Sequence, residues 1–280
     1  MKASYAHYTL HFRQPAGTSR GVLTDKETYF LKLEDEDMPG VFGLGECAVF
    51  RGLSADDVPA YEDKLRELCA NISADKETDL HEFPSIRFGL ETAINDFANG
   101  CRRQPFPSDF TEGMSAIPIN GLVWMGTKEE MLRRIDDKIK AGFTTIKLKV
   151  GAIDTESELD LVRHIRKVFP PEVLTIRLDA NGGFTPDNAL RKLSDFARYG
   201  IHSIEQPIKQ GQWEAMRRIC SESPIDIALD EELIGIHTPE RMGEMLDAVR
   251  PRYIILKPSL IGGFSGSQDW IMQAARRDIG

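Results

Sequence analysis

The 280 residues are 41% apolar and 28% charged, enough chain for one large or two ordinary domains with a sizeable core. A formal charge of −9 without any Lys/Arg block argues against nucleic acid or an anionic membrane as partner. There is no 18-residue apolar run, no signal-type N-terminus and no C-x-x-C among the four cysteines. A cytoplasmic location with reduced thiols is therefore expected, and a disulfide scaffold or zinc ribbon is not.

Residues 1 to about 50 read as a meander. Ser4 to Phe12 and Glu27 to Leu33 alternate, Val41 to Val49 is a third short run, and a Gly/Pro/Ser/Thr loop around Arg20 separates the first two. Gly43-Leu-Gly45-x-x-Ala48 superficially matches a dinucleotide fingerprint. No helix follows directly, so hairpin or bulge glycines are the better reading. From Ser54 the pattern turns helical. Ser54 or Asp56 is positioned to cap a helix through Leu68, and Ser85 a second through Phe97, stopped by Gly100. The Pro- and Gly-rich stretch that follows marks a boundary, dividing a small α+β unit, 1–112, from the remainder, 113–280.

From Ala116 the sequence repeats strand, loop and helix. The six strand segments are AIPINGLV, TTIKLKV, VLTIRLDA, IHSIEQ, IDIALD and RYIILKP. Thr127-x-x-Glu130 and Thr155-x-x-Glu158 read as capping boxes, and Thr185-Pro186 and Thr238-Pro239 as helix starts. The pattern predicts an α/β fold in which an α+β capping domain precedes a (β/α)8-type, TIM-like barrel. Only six units are present, so the barrel is expected to be incomplete, lacking two units of roughly 55 to 60 residues.

Five charged residues close successive strand segments at steps of 25 to 30 residues: Lys149, Asp179, Glu205, Asp230 and Lys257. That step fits one strand, one helix and two short connections, and the rim at the C-terminal ends of such strands is where barrel enzymes keep their active sites. Any one of these residues alone has a plain explanation as a solvated edge lysine or a helix cap. Five in register argue for a site. Neighbouring strands are about 4.8 Å apart, so Asp179, Glu205 and Asp230, taken at equal height, converge on a single ion. All-oxygen ligation suits a hard cation such as Mg²⁺, with Mn²⁺ as a substitute. Lys147 shares the face of Lys149, one step beneath it. In a ring of eight, the second and sixth strands lie on opposite walls, so Lys149 and Lys257 flank whatever the metal holds. The chemistry this suggests is removal of a proton next to a metal-bound carboxylate. Geometry alone does not say which lysine removes it.

Lys147-x-Lys149, Asp179-Ala-Asn181-Gly, Ile204-Glu205-Gln-Pro, Leu229-Asp230-Glu231 and Leu256-Lys257-Pro resemble the enolase superfamily, specifically its muconate-lactonizing subgroup. A lysine base working with Mg²⁺ is the established pattern of that superfamily. The resemblance covers nearly the whole chain. It implies Asp179, Glu205 and Asp230 as ligands, Lys149 and Lys257 as the acid/base pair, and Lys147, Asn181 and Glu231 in support. Pro118-Ile-Asn120-Gly-Leu122-Val-Trp124 and Lys257-Pro-Ser259-Leu-Ile-Gly262-Gly263 look like the members that dehydrate a succinyl-hydroxycyclohexadiene-carboxylate through an enediolate in menaquinone biosynthesis. On that likeness Lys149 takes the proton and returns it to the departing hydroxyl, while Lys257 stays protonated. Asn120 and Leu122 are then expected at the substrate, and Ser259 with the Gly262 and Gly263 amides at the succinyl carboxylate. Two capping loops, residues 15–20 and 50–53, are expected to close over the substrate with Arg20 and Arg51. The competing readings are an N-acylamino-acid racemase or dipeptide epimerase, a cycloisomerase, and a binding module on a decayed barrel. The expected partner is a small carboxylate substrate, and oligomeric state is not legible.

Overall fold

A computed structural model describes residues 1–18, 21–38 and 40–280, so Arg20 lies outside the described residues. The chain opens with three antiparallel strands in the order β1 (Lys2–Thr18), β2 (Gly21–Glu34) and β3 (Phe42–Cys47). The loop expected around residues 14–21 is mostly strand. The β1–β2 ladder runs to Thr18↔Gly21 and takes up a register shift between His11 and Ala16. One face of this sheet carries Tyr29, Leu31, Cys47 and Val49. They are buried against Leu65, Leu68 and Ile86 of two helices, α1 (Tyr61–Ser73) and α2 (Pro84–Ala98).

The Gly-x-Gly in β3 serves that packing. A Cβ on Gly45 would lie 1.8 Å from the Gly89 carbonyl oxygen, and one on Gly43 2.1 Å from that of Ala93, so only glycine lets α2 sit this close. The expected helix caps need correcting. Neither Ser54 nor Asp56 caps α1, which begins at Tyr61 without a side-chain cap. Ser54 Oγ instead accepts from Phe50 N at 2.8 Å and closes the preceding turn. Buried Asp56 accepts from Ser85 N at 2.9 Å and Ser85 Oγ at 2.7 Å, capping α2 from a distance in sequence.

Then come strands and helices in alternation: β4 (Gly121–Val123), α3 (Lys128–Lys140), β5 (Thr145–Lys149), α4 (Thr155–Arg166), β6 (Thr175–Asp179) and α5 (Ala189–Ala197). They continue as β7 (Ser203–Glu205), α6 (Trp213–Glu222), β8 (Asp226–Leu229), α7 (Pro239–Val249), β9 (Tyr253–Ile254), α8 (Pro258–Ile261) and α9 (Gly263–Ala275). All six strands from β4 to β9 are parallel and pair in chain order. Apolar strand residues such as Ile146, Leu148, Ile176 and Leu178 are buried in one core with Leu161, Phe196 and Met245 of the helices. That leaves the alternate, polar set on the other face.

The capping box at Thr127 and Glu130 and the Thr238 cap are present. The one read at Thr155 is not. Asp154 caps α4 through Ser157 N, and Glu158 turns inward to accept from Gly151 N at 2.5 Å. Thr185-Pro186 likewise precedes rather than starts α5, with Asn188 Oδ1 accepting from Thr185 N at 3.0 Å. The antiparallel unit is joined to the parallel one through Glu91 of α2, which accepts from Phe264 N at 2.5 Å and from Ser265 N and Oγ at the start of α9. Among the described residues, no helix is long and apolar enough to cross a membrane.

Candidate active site

Strand pairing puts the rim residues in place. Lys149 lies opposite Asp179, and Asp179 opposite Glu205. The expectation of equal height fails at the next step, because Glu205 pairs with Ala228 and Asp230 stands two residues further on. An offset of two keeps Asp230 on the same face while raising it, the stagger that curves a sheet towards a barrel.

All three carboxylates are buried, and lysines hold their oxygens. Lys147 Nζ lies 3.0 Å from Asp179 Oδ2 and 2.5 Å from Glu205 Oε2. Lys149 Nζ donates to Asp179 Oδ2 at 2.7 Å and to Asn181 Oδ1 at 2.5 Å, and Lys257 pairs with Asp230. Asn181, in the left-handed region at φ 43°, also donates through Nδ2 to Glu231 Oε1 at 2.9 Å. The lysines and the two supporting groups, Asn181 and Glu231, thus meet at this rim. Among the described residues, however, no three acidic, His or Cys side chains stand close enough together to form an ion cage as placed.

The electrostatics follow from that sharing. Burial opposes the charge of Lys147, but Asp179 and Glu205 outweigh it and hold its pKa above the ordinary lysine value. Burial also opposes the charge of Asp179, yet two ammoniums keep its pKa below the usual range. Glu205 has only a share of Lys147. Burial and the charge of Asp179 push it up to about 7. Asp230 is raised as well, by burial first and by Glu231, against the pull of Lys257. In donor chemistry, though not in its present spacing, a buried, all-oxygen set whose members repel one another suits a hard divalent cation.

Gln206, absent from the residues singled out by sequence, holds the ends of β7 and β8 together. It is fully buried at φ 38°. Its Oε1 accepts from Asp230 N and Glu232 N, each at 3.2 Å, and its Nε2 donates to Glu232 Oε2 at 2.9 Å. The signal was present in the Glu-Gln-Pro run, but nothing there announced a backbone tie two strand ends wide.

Above the rim lies a cavity of about 290 Å³. The parallel unit lines it with Trp124, Lys149, Asn181, Lys257, Ser259 and Leu260, and the antiparallel unit with Lys26, Ala48, Phe50 and Leu53. Ser259 is therefore where expected. Strand β4 contributes Trp124 instead of Asn120 or Leu122. Leu122 sits opposite Lys147, and Asn120, lower still, accepts from Arg177 at 3.5 Å. Neither Gly262 nor Gly263 lines the cavity. Gly262 N–H bonds Pro258 O, and the start of α9 is filled by the Glu91 carboxylate. The 50–53 loop does reach the cavity, but through Phe50 and Leu53. Arg51 turns away to Glu27 at 2.9 Å and Asp57 at 2.7 Å. Lys26 carries no signal of its own in the sequence, because it lies just ahead of the alternating run that begins at Glu27.

A family model described as "Enolase C-terminal domain-like" matches residues 130–280. The chain belongs to the enolase superfamily. Within that superfamily, it is 42% identical to an o-succinylbenzoate synthase of Desulfotalea psychrophila, an alignment covering 100% of this chain and 84% of the relative. The crystal structure of MenC from Desulfotalea psychrophila LSv54 superposes with a TM-score of 0.86 at 38% identity, covering 100% and 84% of the two chains. An o-succinylbenzoate synthase structure from Thermosynechococcus elongatus BP-1, complexed with Mg in its active site, gives 0.76 at 25% identity over 99% and 81%. The L-Ala-D/L-Glu epimerase of Bacillus subtilis is 32% identical, with 82% of this chain and 65% of that protein covered.

Proposed function

We propose that the chain dehydrates a succinyl-hydroxycyclohexadiene-carboxylate, forming the product that names its Desulfotalea relative. We place this step in cytoplasmic menaquinone biosynthesis. The observation that carries the mechanism is that Lys149 and Lys257, from strands four places apart in the sheet, line one cavity above three buried carboxylates. In this reading residues 1–112 form the cap and 113–280 the barrel part.

Asp179, Glu205 and Asp230 would hold Mg²⁺, with Mn²⁺ as a substitute. A bound divalent ion supplies positive charge where the substrate carboxylate gains negative charge as its neighbouring carbon loses a proton. Lys149 Nζ, once its ammonium has given a proton to solvent, takes the proton from that carbon, and the C–H electron pair passes into the enediolate. The pair then forms the ring double bond as the bond from carbon to the β-hydroxyl breaks. Lys149 returns its proton to the departing hydroxide, which leaves as water, so one lysine serves both steps on one face. Lys257 remains protonated on the other face and donates to the enediolate oxygens. Asn181, bonded to both Lys149 and Glu231, fixes the direction from which Lys149 approaches.

The likeness to the Bacillus epimerase favours a second reading, epimerisation with the lysines on opposite faces of a dipeptide α-carbon. Assay of the cyclohexadiene substrate with Mg²⁺, after chelation, and beside a dipeptide panel decides between the two. Metal-dependent dehydration without epimerisation is expected. Epimerisation without dehydration overturns the first reading.

A further inference from the structure

Resting on the dehydratase reading, we infer that Lys26 of the capping sheet binds the distal, succinyl carboxylate of the substrate and so selects for a dicarboxylate. Three described cations line the cavity. Two of them, Lys149 and Lys257, stand on the barrel side and are held to Asp179 and Asp230. Lys26 comes from the opposite, antiparallel unit. A substrate with one carboxylate at the carboxylate-lined rim therefore meets Lys26 with its other end.

The strand geometry aims it there. Lys26, Thr28 and Phe30 share one face of β2, and Phe30 lies opposite Glu46 of β3. This is the reverse of the face that packs on α1 and α2 through Tyr29 and Leu31. Glu46 accepts from Thr28 Oγ1 at 2.7 Å and from Lys26 Nζ at 3.2 Å, which holds the ammonium in position while spending one of its three donors. The Lys26 side chain is 21% exposed and has apolar Ala48, Phe50 and Leu53 around the same cavity. A charge-assisted hydrogen bond made in such surroundings outweighs one made in open water. The Gly262–Gly263 turn does not compete for this carboxylate, since Glu91 already fills the adjacent start of α9.

The test is a binding cycle by calorimetry on Mg²⁺-loaded protein. The probes are o-succinylbenzoate and its analogue with the succinyl carboxylate replaced by a carboxamide. Lys26→Met is expected to weaken the diacid about tenfold or more while moving the amide less than about twofold, and Lys26→Arg to preserve the preference for the diacid. Equal weakening of both probes by Lys26→Met, or no change in either, overturns the assignment. Turnover is measured separately. A wild-type protein that fails to dehydrate the cyclohexadiene substrate defeats the parent reading, and the binding cycle still reports on Lys26.

Discussion

The two ends of the rim are built differently. From β5 to β7 the residues Lys149, Asp179 and Glu205 are in flat register, and two lysines serve two carboxylates. At β8 and β9 the register steps up by two, and one lysine serves Asp230 with Glu231 alongside. Lys149 is nearly enclosed, its side chain 14% exposed, whereas that of Lys257 is 42% exposed and less constrained. The difference teaches that charge is shared unevenly. Asp179, with two ammoniums, keeps its charge, while Glu205 and Asp230 are pushed towards the neutral form. A cation binding here relieves the most strained partners, Glu205 and Asp230, more than Asp179.

Removing a proposed ligand from either end is the harshest way to break this arrangement. Asp179→Ala and Asp230→Ala should each abolish the rise in unfolding temperature that Mg²⁺ gives the wild-type protein, a stabilisation of about 2.7 kcal/mol at a hundred times the dissociation constant. Thermal melts with and without Mg²⁺ check this. A variant that keeps the wild-type shift removes that residue from the metal set.

The pH dependence of the metal-free protein comes next. The folded Glu205 carboxyl, at about 7, keeps a proton that the unfolded chain releases near 4.5. The folded state therefore binds more protons in that window, so stability falls as pH rises from about 4.5 to 7 and levels off above it. The loss is on the order of 3 kcal/mol at most. Urea unfolding across this range should show the slope in wild type and its disappearance in Glu205→Gln. Asp179→Asn sharpens the same comparison. It frees Lys147 for Glu205 alone, so the Glu205 carboxyl resonance should titrate lower than in wild type.

Gln206→Ala strands Asp230 N and Glu232 N, and should cost about 1–3 kcal/mol in urea unfolding while weakening Mg²⁺ binding. Unchanged stability would mean that the β7–β8 tie is dispensable. Arg51→Ala should do least, below about 1 kcal/mol and without effect on KM, because Arg51 and its partners Glu27 and Asp57 are all partly open to water. A raised KM would return Arg51 to the substrate.

Much of this was legible because strand ends repeat. The five rim residues follow from period-two faces and the 25- to 30-residue step, as do the parallel strands that carry them. The two-residue stagger at Asp230 was not legible, since register depends on curvature that local sequence does not encode. Long-range partners were hidden for the same reason. Asp56 caps a helix that begins at Pro84, and Glu91 fills the start of a helix that begins at Gly263. Lys26 reaches the cavity only because one sheet face is folded over the barrel, which no run of residues around it announces.

The most direct test of the account is dehydration by Lys149→Ala, measured beside wild type with Mg²⁺ binding followed in the same samples. The account expects turnover to fall by at least about a hundredfold while the metal still binds, because the lost group is the proton carrier and not a ligand. Turnover at the wild-type rate in Lys149→Ala would contradict it.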